Sequence, residues 1–347
     1  MGAFRSIRIC CWLLSFLASC LSFPLLTLAA QAELPTLVVS APGPRNISYL
    51  PVDLIPKIGA DRAEGVQVRL LPTGGGAIAM KNLMTRNADF AVAGQPAAMS
   101  LRANGGAVVT IAAVDDAPLF VFMVRAGLRD TVRRFSDLKG KVIGVNTSSL
   151  SSKTTSQQLA ELLLRSDGVS PEMVRLLPAG QSWQEQSALI HSNTVDAIMG
   201  DEPFASRLLA EGQVFFLANL ADPAFTKQIP GAGFLHAALQ TRTELVAQEP
   251  QKGAAMVRIL RRSLEWIANH SPEELVRQLE IEDQTEARFL LESLKKYPRS
   301  YSRDGSFSAA QLRETETFFH ATAKDHPASQ SLRLESMIVD TWAERRP

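Results

Sequence analysis

Two copies of one heptapeptide constrain the fold of this 347-residue chain more than any other feature. Residues 68–74 read VRLLPTG and residues 174–180 read VRLLPAG, so six of the seven positions match. Downstream, NADFAVAGQP (87–96) and TVDAIMGDEP (194–203) each place an Asp seven residues before a Pro, with an apolar run between them. The offset of 106–107 residues persists over roughly 60 residues. Because the spacing agrees on both sides of the heptapeptide, we interpret the pattern as an internal duplication and not as a chance recurrence of one strand pattern.

Each copy of the repeat reads as strands alternating with helices. This alternation predicts a parallel sheet with helices on its faces, so two copies predict two similar doubly wound α/β lobes. The apolar segments 118–124 and 231–238 are predicted to be strands that carry the chain between the lobes and form a hinge. Residues 33–121 and 235–347 would then build lobe 1, and residues 122–234 would build lobe 2.

The last part of the chain is predicted to be helical and to pack on the first lobe. An apolar stripe at helical spacing is formed by Ala254, Val257, Leu260, Leu264 and Ile267. The segment 271–274 reads SPEE, a capping box with Pro at the first helical position. Ser308, followed by Gln311 three residues later, is predicted to begin another helix.

The first 32 residues have the composition of a secretory signal peptide. Arg5 and Arg8 precede an apolar stretch, and residues 30–32 read AQA, the small-x-small pattern of a cleavage site. The pattern predicts export to the periplasm. Two alternatives stay open, a lipoprotein with a lipidated Cys20 and a retained membrane anchor. All three cysteines lie in this segment, so cleavage after Ala32 leaves about 315 residues without a disulfide, a Cys-ligated zinc or a catalytic thiol.

The charge balance and the scattered histidines exclude several classes of function. Without Arg5 and Arg8 the chain has 34 basic and 35 acidic residues, a net charge of −1, which does not favour nucleic acid or an anionic surface as partner. No HExxH pair and no Gly-x-Ser-x-Gly elbow occurs in the sequence. We expect no cofactor, no metal and no catalytic residue, and we expect a monomer.

The candidate site is a cleft between the two lobes. In doubly wound sheets, ligands bind outside the carboxyl ends of the strands. Six predicted loops lie there, residues 40–46, 73–77 and 94–97 in the first lobe and residues 146–154, 179–183 and 200–204 in the second. The candidate ligand-binding residues are Pro44, Arg45, Asn46, Gly74, Gly75, Gly76, Gln95, Thr147, Ser148, Ser149, Ser151, Ser152, Lys153, Trp183 and Glu202.

The most unusual of these loops is rich in hydroxyls, since eight of the ten residues from Thr147 to Ser156 are Ser or Thr. It lies between a predicted strand that ends at Val145 and a predicted helix. Free backbone N–H groups at a helix N-terminus, with hydroxyl donors and Lys153, favour a bound oxyanion. The alternative is that one hydroxyl caps the helix while the others, and Lys153, face solvent.

The other candidates also have structural alternatives. The glycines at 74–76 let backbone approach a ligand closely, but the Lys and Ser/Thr of a phosphate-binding loop are missing. Trp183 stacks on a planar ligand or packs in the core, and Arg45 is a partner for an acidic ligand. Asp201 or Glu202 binds a ligand amine, contacts the facing lobe, or stabilises a helix N-terminus. The repeated Asp residues at 89 and 196 follow a helix and open a strand, so their predicted role is structural.

The chain resembles the periplasmic solute-binding proteins of ABC importers, in the nitrate/sulfonate/taurine class. The likeness spans about residues 36–270 and lies in the segments GVQVRLLPTGGGAIAMKNLMTRNADFAVAG (65–94), FSDLKGKVIGV (135–145) and NTVDAIMGDEPFASRLL (193–209). It implies a type II periplasmic binding protein fold, a small ligand such as a sulfonate or nitrate held between two lobes, and a membrane permease as partner.

Three alternatives to this function remain. The TGGG loop is also similar to binding proteins of TRAP-type importers. A sensory or scaffold protein would use the same clamp. The pyrimidine-precursor synthases share the fold that the chain resembles, but that family carries a Cys-rich iron site, and here every cysteine lies in the predicted signal peptide.

Overall fold

The computed structural model describes residues 34–324 and 326–346. The predicted signal peptide and Cys20 lie outside these residues. Within the described ranges, no helix has the length and apolar character needed to cross a membrane.

The helices and strands follow one another as the repeat predicts. The first copy contains β1 (Thr36–Pro42), α1 (Leu50–Ile58), β2 (Gln67–Thr73), α2 (Gly76–Met84), β3 (Phe90–Gly94), α3 (Gln95–Ala103) and β4 (Val108–Ala113). The next segment contains β5 (Phe120–Arg125), β6 (Val142–Val145), α4 (Thr155–Ser166), β7 (Arg175–Pro178), α5 (Trp183–His191), β8 (Ala197–Asp201), α6 (Phe204–Ala210), β9 (Val214–Asn219) and α7 (Pro223–Thr226). The last segment contains β10 (Ala237–Arg242), α8 (Thr243–Gln248), α9 (Pro250–Asn269), α10 (Pro272–Gln278), α11 (Gln284–Lys296), β11 (Phe307–Ser308), α12 (Ala309–Thr322), α13 (Pro327–Ser331) and β12 (Arg345–Arg346).

Two five-stranded sheets have the same strand order. The first is β2-β1-β3-β10-β4 and the second is β7-β6-β8-β5-β9. In each, the three strands of the repeat run parallel, and the strand from the other half of the chain pairs antiparallel with both of its neighbours. The chain therefore crosses to the second sheet through β5 and returns to the first through β10. The predicted fold class, two similar α/β lobes, is confirmed.

The repeated Asp joins equivalent strands in the two lobes. The Asp89 carboxylate accepts a hydrogen bond from the backbone N–H of Val38 at 2.8 Å, and the Asp196 carboxylate accepts one from Val142 at 3.0 Å. In each lobe the bond connects the start of the third strand of the repeat to the first strand. The repeated Asp is thus a structural residue, as its position in the sequence predicts.

Burial on both faces explains the apolar runs in the sequence. Strands β3 and β4 and most of β5 are buried along their length, as expected for sheets covered by helices on both sides. At roughly 25 cal/mol per Å² of apolar surface, burial of one such Phe or Val side chain contributes about 1.5–3 kcal/mol. β3 and β5 are interior strands of their sheets, and Gly94 at the end of β3 and Phe120 at the start of β5 line the site described below.

The C-terminal helices begin where their capping residues predict. The Ser271 hydroxyl accepts from Glu274 N and the Glu274 carboxylate accepts from Ser271 N at the start of α10. Ser308 caps α12 by accepting from Gln311 N. The tail packs on the first lobe and also contacts the second, because Tyr297 donates to Glu202 at 3.2 Å.

The predicted return strand over 231–238 begins earlier in the chain than the observed strand. The observed strand β10 begins at Ala237. Gly231 has a left-handed backbone (φ 70°), and a Cβ there would lie 2.3 Å from the Glu314 carbonyl oxygen and 2.4 Å from Phe318 N. A turn packed against α12 therefore occupies the glycine-bearing part of the segment, and only its end enters the sheet.

Candidate functional site

A small polar cavity lies where the strand ends of the two sheets meet. Its volume is about 20 Å³, which is room for one water molecule. The side chains that form its polar wall come from both sheets: Asn46, Asn146, Thr155, Gln181, Asp201 and His236. All six are at most 6% exposed.

An amide and carboxyl network joins the lobes across this cavity. Asn46 Nδ2, from the loop after β1, donates to Asp201 Oδ2 at 2.6 Å and lies 3.3 Å from Gln181 Oε1. Gln181 Nε2 donates to the Asn146 carbonyl oxygen at 2.7 Å. Asn46 also accepts from the backbone N–H of Ser48, which fixes its side chain. One side chain of the first lobe is therefore bonded to two of the second.

Three polar atoms in the cavity wall are left without a partner. Asp201 Oδ1, Thr155 Oγ1 and His236 Nδ1 are buried and have no hydrogen-bond partner among the described residues. An unpaired buried polar atom costs about 1–3 kcal/mol, so native proteins pair most of them with protein, water or ligand. Their meeting in one cavity between two lobes identifies it as the candidate binding site.

The cavity carries at most one negative charge and no positive one near neutral pH. Burial raises the pKa of Asp201 to about 7, with the nearby Glu202 carboxylate adding to the rise and the side-chain amides of Asn46 and Asn146 opposing it. Burial lowers the pKa of His236 to about 3, so its imidazole is neutral. Burial also raises the pKa of Tyr49, whose hydroxyl lies 3.3 Å from His236 Nε2. Among the described residues, no Lys or Arg lines this cavity.

The first part of the hydroxyl-rich run closes on the glycine loop of the other lobe. The backbone N–H of Ser148 donates to the Gly74 carbonyl oxygen at 2.6 Å. A Cβ on Gly74 would lie 2.2 Å from Ser148 Oγ, and one on Gly75 would lie 2.8 Å from Thr147 Oγ1. The glycines thus permit two loops to touch across the lobes, and of the three only Gly76 lines the cavity.

The middle of the run lies on the surface. Ser149 Oγ donates to Ser151 Oγ at 2.9 Å, and Lys153 pairs with Glu161 at 2.7 Å. With Ser152, the residues at 151 and 153 line a larger groove of about 820 Å³ between helices of the two lobes. The predicted oxyanion contacts of Ser148, Ser149, Ser151, Ser152 and Lys153 stay a prediction.

The end of the run supplies the cap and the cavity hydroxyls. Thr154 caps α4 by accepting from Gln157 N at 3.3 Å. Thr154, Thr155 and Ser156 are all buried and line the cavity. One hydroxyl therefore caps the helix, as the structural alternative expected, and the residues after the cap reach the site.

The remaining predicted residues are held mainly by protein partners. Arg45 forms an ion pair with Glu286, and Pro44 before it is exposed. The Trp183 ring lies under the Arg207 guanidinium at 3.7 Å. Gln95 Oε1 accepts from Thr110 at 2.8 Å.

Glu202 is bonded to its own helix and to the tail. Its carboxylate accepts from Ser206 N at 3.0 Å and from Ser206 Oγ at 2.8 Å, in addition to the Tyr297 hydroxyl. Of the fifteen predicted residues, Asn46 and Gly76 are the two that line the cavity.

No sequence pattern marks several of the residues that line the cavity. Asn146 and Gln181 lie within the predicted loops, but their residue type does not distinguish them there, and the sequence alone does not separate Asp201 from the adjacent Glu202. His236 precedes a strand that enters from the other half of the chain, so no repeat position marks it. Their position is the signal in the sequence, since each lies within about three residues of a strand terminus.

The sequence of the chain also matches a known protein family. A profile of the family described as NMT1/THI5 like matches residues 62–274, more than half of the chain. The chain belongs to the NMT1/THI5-like family. No curated protein matches it in sequence.

Solved structures share the fold at low sequence identity. A protein from Bordetella bronchiseptica RB50 is 19% identical with a TM-score of 0.80, over 89% of this chain and 95% of that one. The alkanesulfonate-binding protein SsuA from Xanthomonas axonopodis pv. citri, bound to MOPS, is 16% identical with a TM-score of 0.68, over 89% and 99%. The periplasmic nitrate-binding protein NrtA from Synechocystis PCC 6803 is 12% identical with a TM-score of 0.66, over 88% and 86%. The predicted fold, that of periplasmic binding proteins, is thus confirmed.

An enzyme shares the fold as well. The desulfurization enzyme DszB is 16% identical with a TM-score of 0.59, over 89% of this chain and 97% of that one. Sequence identities this low show a shared fold only. The activity has to be inferred from the residues of the site.

Proposed function

We propose that this NMT1/THI5-like protein is the periplasmic solute-binding component of an ABC importer. The observation that carries the proposal is the buried cavity between the lobes, in which Asp201, Thr155 and His236 each present an unpaired polar atom. A pocket built from strand-end loops of two α/β lobes is the expected ligand position in this architecture. The family and the SsuA and NrtA folds support the same function.

Ligand capture requires the lobes to separate and close again. A cavity of about 20 Å³ admits no molecule larger than water, so a solute enters when the lobes are apart. Closure then forms the bonds from Asn46 to Asp201 and from Ser148 to Gly74, and the bond from Gln158 to the Pro96 carbonyl oxygen at 3.2 Å. Hinged closure around a ligand is the usual motion of such clamps, and the closed form would dock on the permease.

The sequence pattern and the chemistry of the cavity favour different classes of ligand. The hydroxyl-rich run favours a sulfonate- or nitrate-like anion, which needs cations or several N–H donors around it. The Asp201 carboxyl opposes an anion in the cavity itself. Export through the predicted signal peptide, or anchoring through Cys20, is part of the proposal and does not depend on the ligand.

Ligand capture can be tested directly on the purified protein. We expect native mass spectrometry to detect a co-purified small molecule, or a solute panel to raise the melting temperature. Uptake of that solute by cells should depend on both this protein and an ABC permease. Binding without permease-dependent uptake would favour the sensory or scaffold alternative, and conversion of the solute to product would favour an enzyme of the DszB kind.

A further inference from the structure

We propose, on the basis of the function above, that the cavity recognises a nitrogen group that donates hydrogen bonds, namely an amine, amidine or amide, which donates to Asp201 Oδ1. The site would then select an uncharged or cationic group in preference to an oxyanion.

The Asp201 carboxyl can accept at least one more hydrogen bond. Its carboxyl is 3% exposed, its Oδ2 accepts from Asn46 at 2.6 Å, and its Oδ1 has no partner among the described residues. In its ionised form this carboxylate accepts hydrogen bonds only, so a group that completes the ionised site carries an N–H or O–H. Asn46 comes from the facing lobe, so the bond that leaves Oδ1 free is itself made by closure.

The residues that carry the other two unpaired atoms both pack against Gly94, in the first lobe. A Cβ on Gly94 would lie 2.0 Å from Thr155 Oγ1 and 3.3 Å from the His236 ring at Cε1. The absence of a side chain there therefore lets the Thr155 hydroxyl and the His236 ring pack at the same backbone position. Thr155 both donates and accepts, and neutral His236 Nδ1 does one of the two, so a small polar group meets partners of either kind at this end.

The titratable groups around Asp201 are neutral or negatively charged. The titratable groups at the cavity are Tyr49 and His236, with Glu202 beside Asp201 and Asp115 bonded to the His236 backbone N–H at 3.1 Å. The nearest cation of the hydroxyl-rich run, Lys153, is paired with Glu161. An oxyanion would bring a second negative charge to a buried carboxyl, whereas a cation would offset it. The pKa of Asp201, raised by burial to about 7, would fall when a cation binds.

The proposal can be tested with a solute panel sorted by charge. A thermal-shift screen would use amines and amidines, amides, and anions (sulfonates, nitrate and carboxylates) in equal numbers. Titration calorimetry of the hits would then compare the wild type with Asp201→Asn and with Asp130→Asn, whose side chain is 98% exposed and serves as the control. We expect hits among the nitrogen donors, at least a tenfold loss of affinity in Asp201→Asn, and no change in Asp130→Asn.

Three outcomes would overturn the proposal in distinguishable ways. Hits confined to anions would overturn the ligand class and leave the binding function standing. Nitrogen donors whose affinity is unchanged in Asp201→Asn would remove Asp201 as the recognition group, provided that the variant melts cooperatively. No hit in any class, together with no solute detected by native mass spectrometry, would overturn the proposed function and the ligand class with it.

Discussion

At the scale of single residues, the site depends on two adjacent acids where one strand ends. Asp201 is the last residue of β8, and Glu202 lies in the turn that follows it. At the end of β8, Asp201 faces the cavity and bonds Asn46, while the next residue, Glu202, turns to Ser206 and Tyr297. The two acids look equivalent in the sequence, and their surroundings give them different roles. Only the cavity-facing carboxyl is positioned to bind a ligand between the lobes.

Asp201→Asn is expected to stabilise the protein at high pH more than at low pH. Burial raises the pKa of Asp201 from 3.8 to about 7, so as the pH rises the unfolded chain loses this proton first. The stability associated with the protonated carboxyl is therefore present below about pH 4 and lost as the pH approaches 7. At ~1.4 kcal/mol per pKa unit, the gain in unfolding free energy at pH 8 should exceed that at pH 5 by roughly 2 kcal/mol.

Urea unfolding of wild type, Asp201→Asn and Asp130→Asn at the two pH values measures this difference. The exposed control should show no comparable pH dependence. An equal effect of Asp201→Asn at pH 5 and pH 8 would mean that the buried carboxyl titrates normally.

At the scale of elements, the run from Thr147 to Ser156 divides into three parts with different functions. Its start contacts the glycine loop of the other lobe, its middle is exposed, and its end caps α4 and lines the cavity. The division follows from where α4 begins. Because Thr154 is the N-cap, the residues after it are packed by the helix, and those before it stay in the loop.

Thr154→Ala should destabilise the protein, whereas Ser152→Ala should not. Loss of an N-cap hydroxyl typically costs about 1 kcal/mol, and a change at an exposed loop serine stays within about 0.5 kcal/mol. Thr154 accepts from Gln157 N, and Ser152 is exposed. Chemical denaturation of the two variants checks the expectation. A larger effect of Ser152→Ala would contradict the division of the run.

At the scale of the whole molecule, closure of the two lobes depends on loops whose backbones contact each other directly. Gly74 and Ser148 belong to different lobes and are bonded through their backbones at 2.6 Å. The tail adds a further bridge, since Thr322 Oγ1 donates to Gln158 Oε1 at 3.1 Å, and Gln158 also contacts the first lobe. Short polar contacts around the cavity thus help to stabilise the closed form, together with the apolar contact that Phe318 of α12 makes with the core of the second lobe.

Gly74→Ala should shift the protein toward an open form. The added Cβ would lie 2.2 Å from Ser148 Oγ and 2.6 Å from Ser148 Cβ, so the loops must separate. We expect small-angle X-ray scattering to give a larger radius of gyration, and ligand affinity to fall by tenfold or more. Gly127→Ala is the matched control, because its Cβ would meet only Arg125 Nη1 at 3.6 Å.

A second substitution separates loss of closure from loss of fold. Ser148→Gly removes the atoms that the new Cβ meets, so the Gly74→Ala/Ser148→Gly double variant should regain the compact form. A radius of gyration that is unchanged in Gly74→Ala would show that these loops do not limit closure.

The architecture follows from the sequence alone, because the internal repeat and its hydrophobic periodicity can be read along the chain. The spacing around VRLLP predicts two similar lobes, the repeated Asp predicts a structural role at the start of a strand, and Ser271 and Ser308 predict helix starts. Position at strand ends also predicts Asn46 and Gly76 at the cleft.

Only the tertiary structure decided which side chains meet in the cavity. The strand that follows His236 enters the first sheet from the far half of the chain, and the contact of Asn46 with Asp201 joins residues 155 positions apart. Likewise, the glycines permit their loop to approach Thr147 and Ser148, but the packing of the lobes brings these particular residues together. Such contacts depend on how two independently formed sheets face each other, which no local pattern encodes.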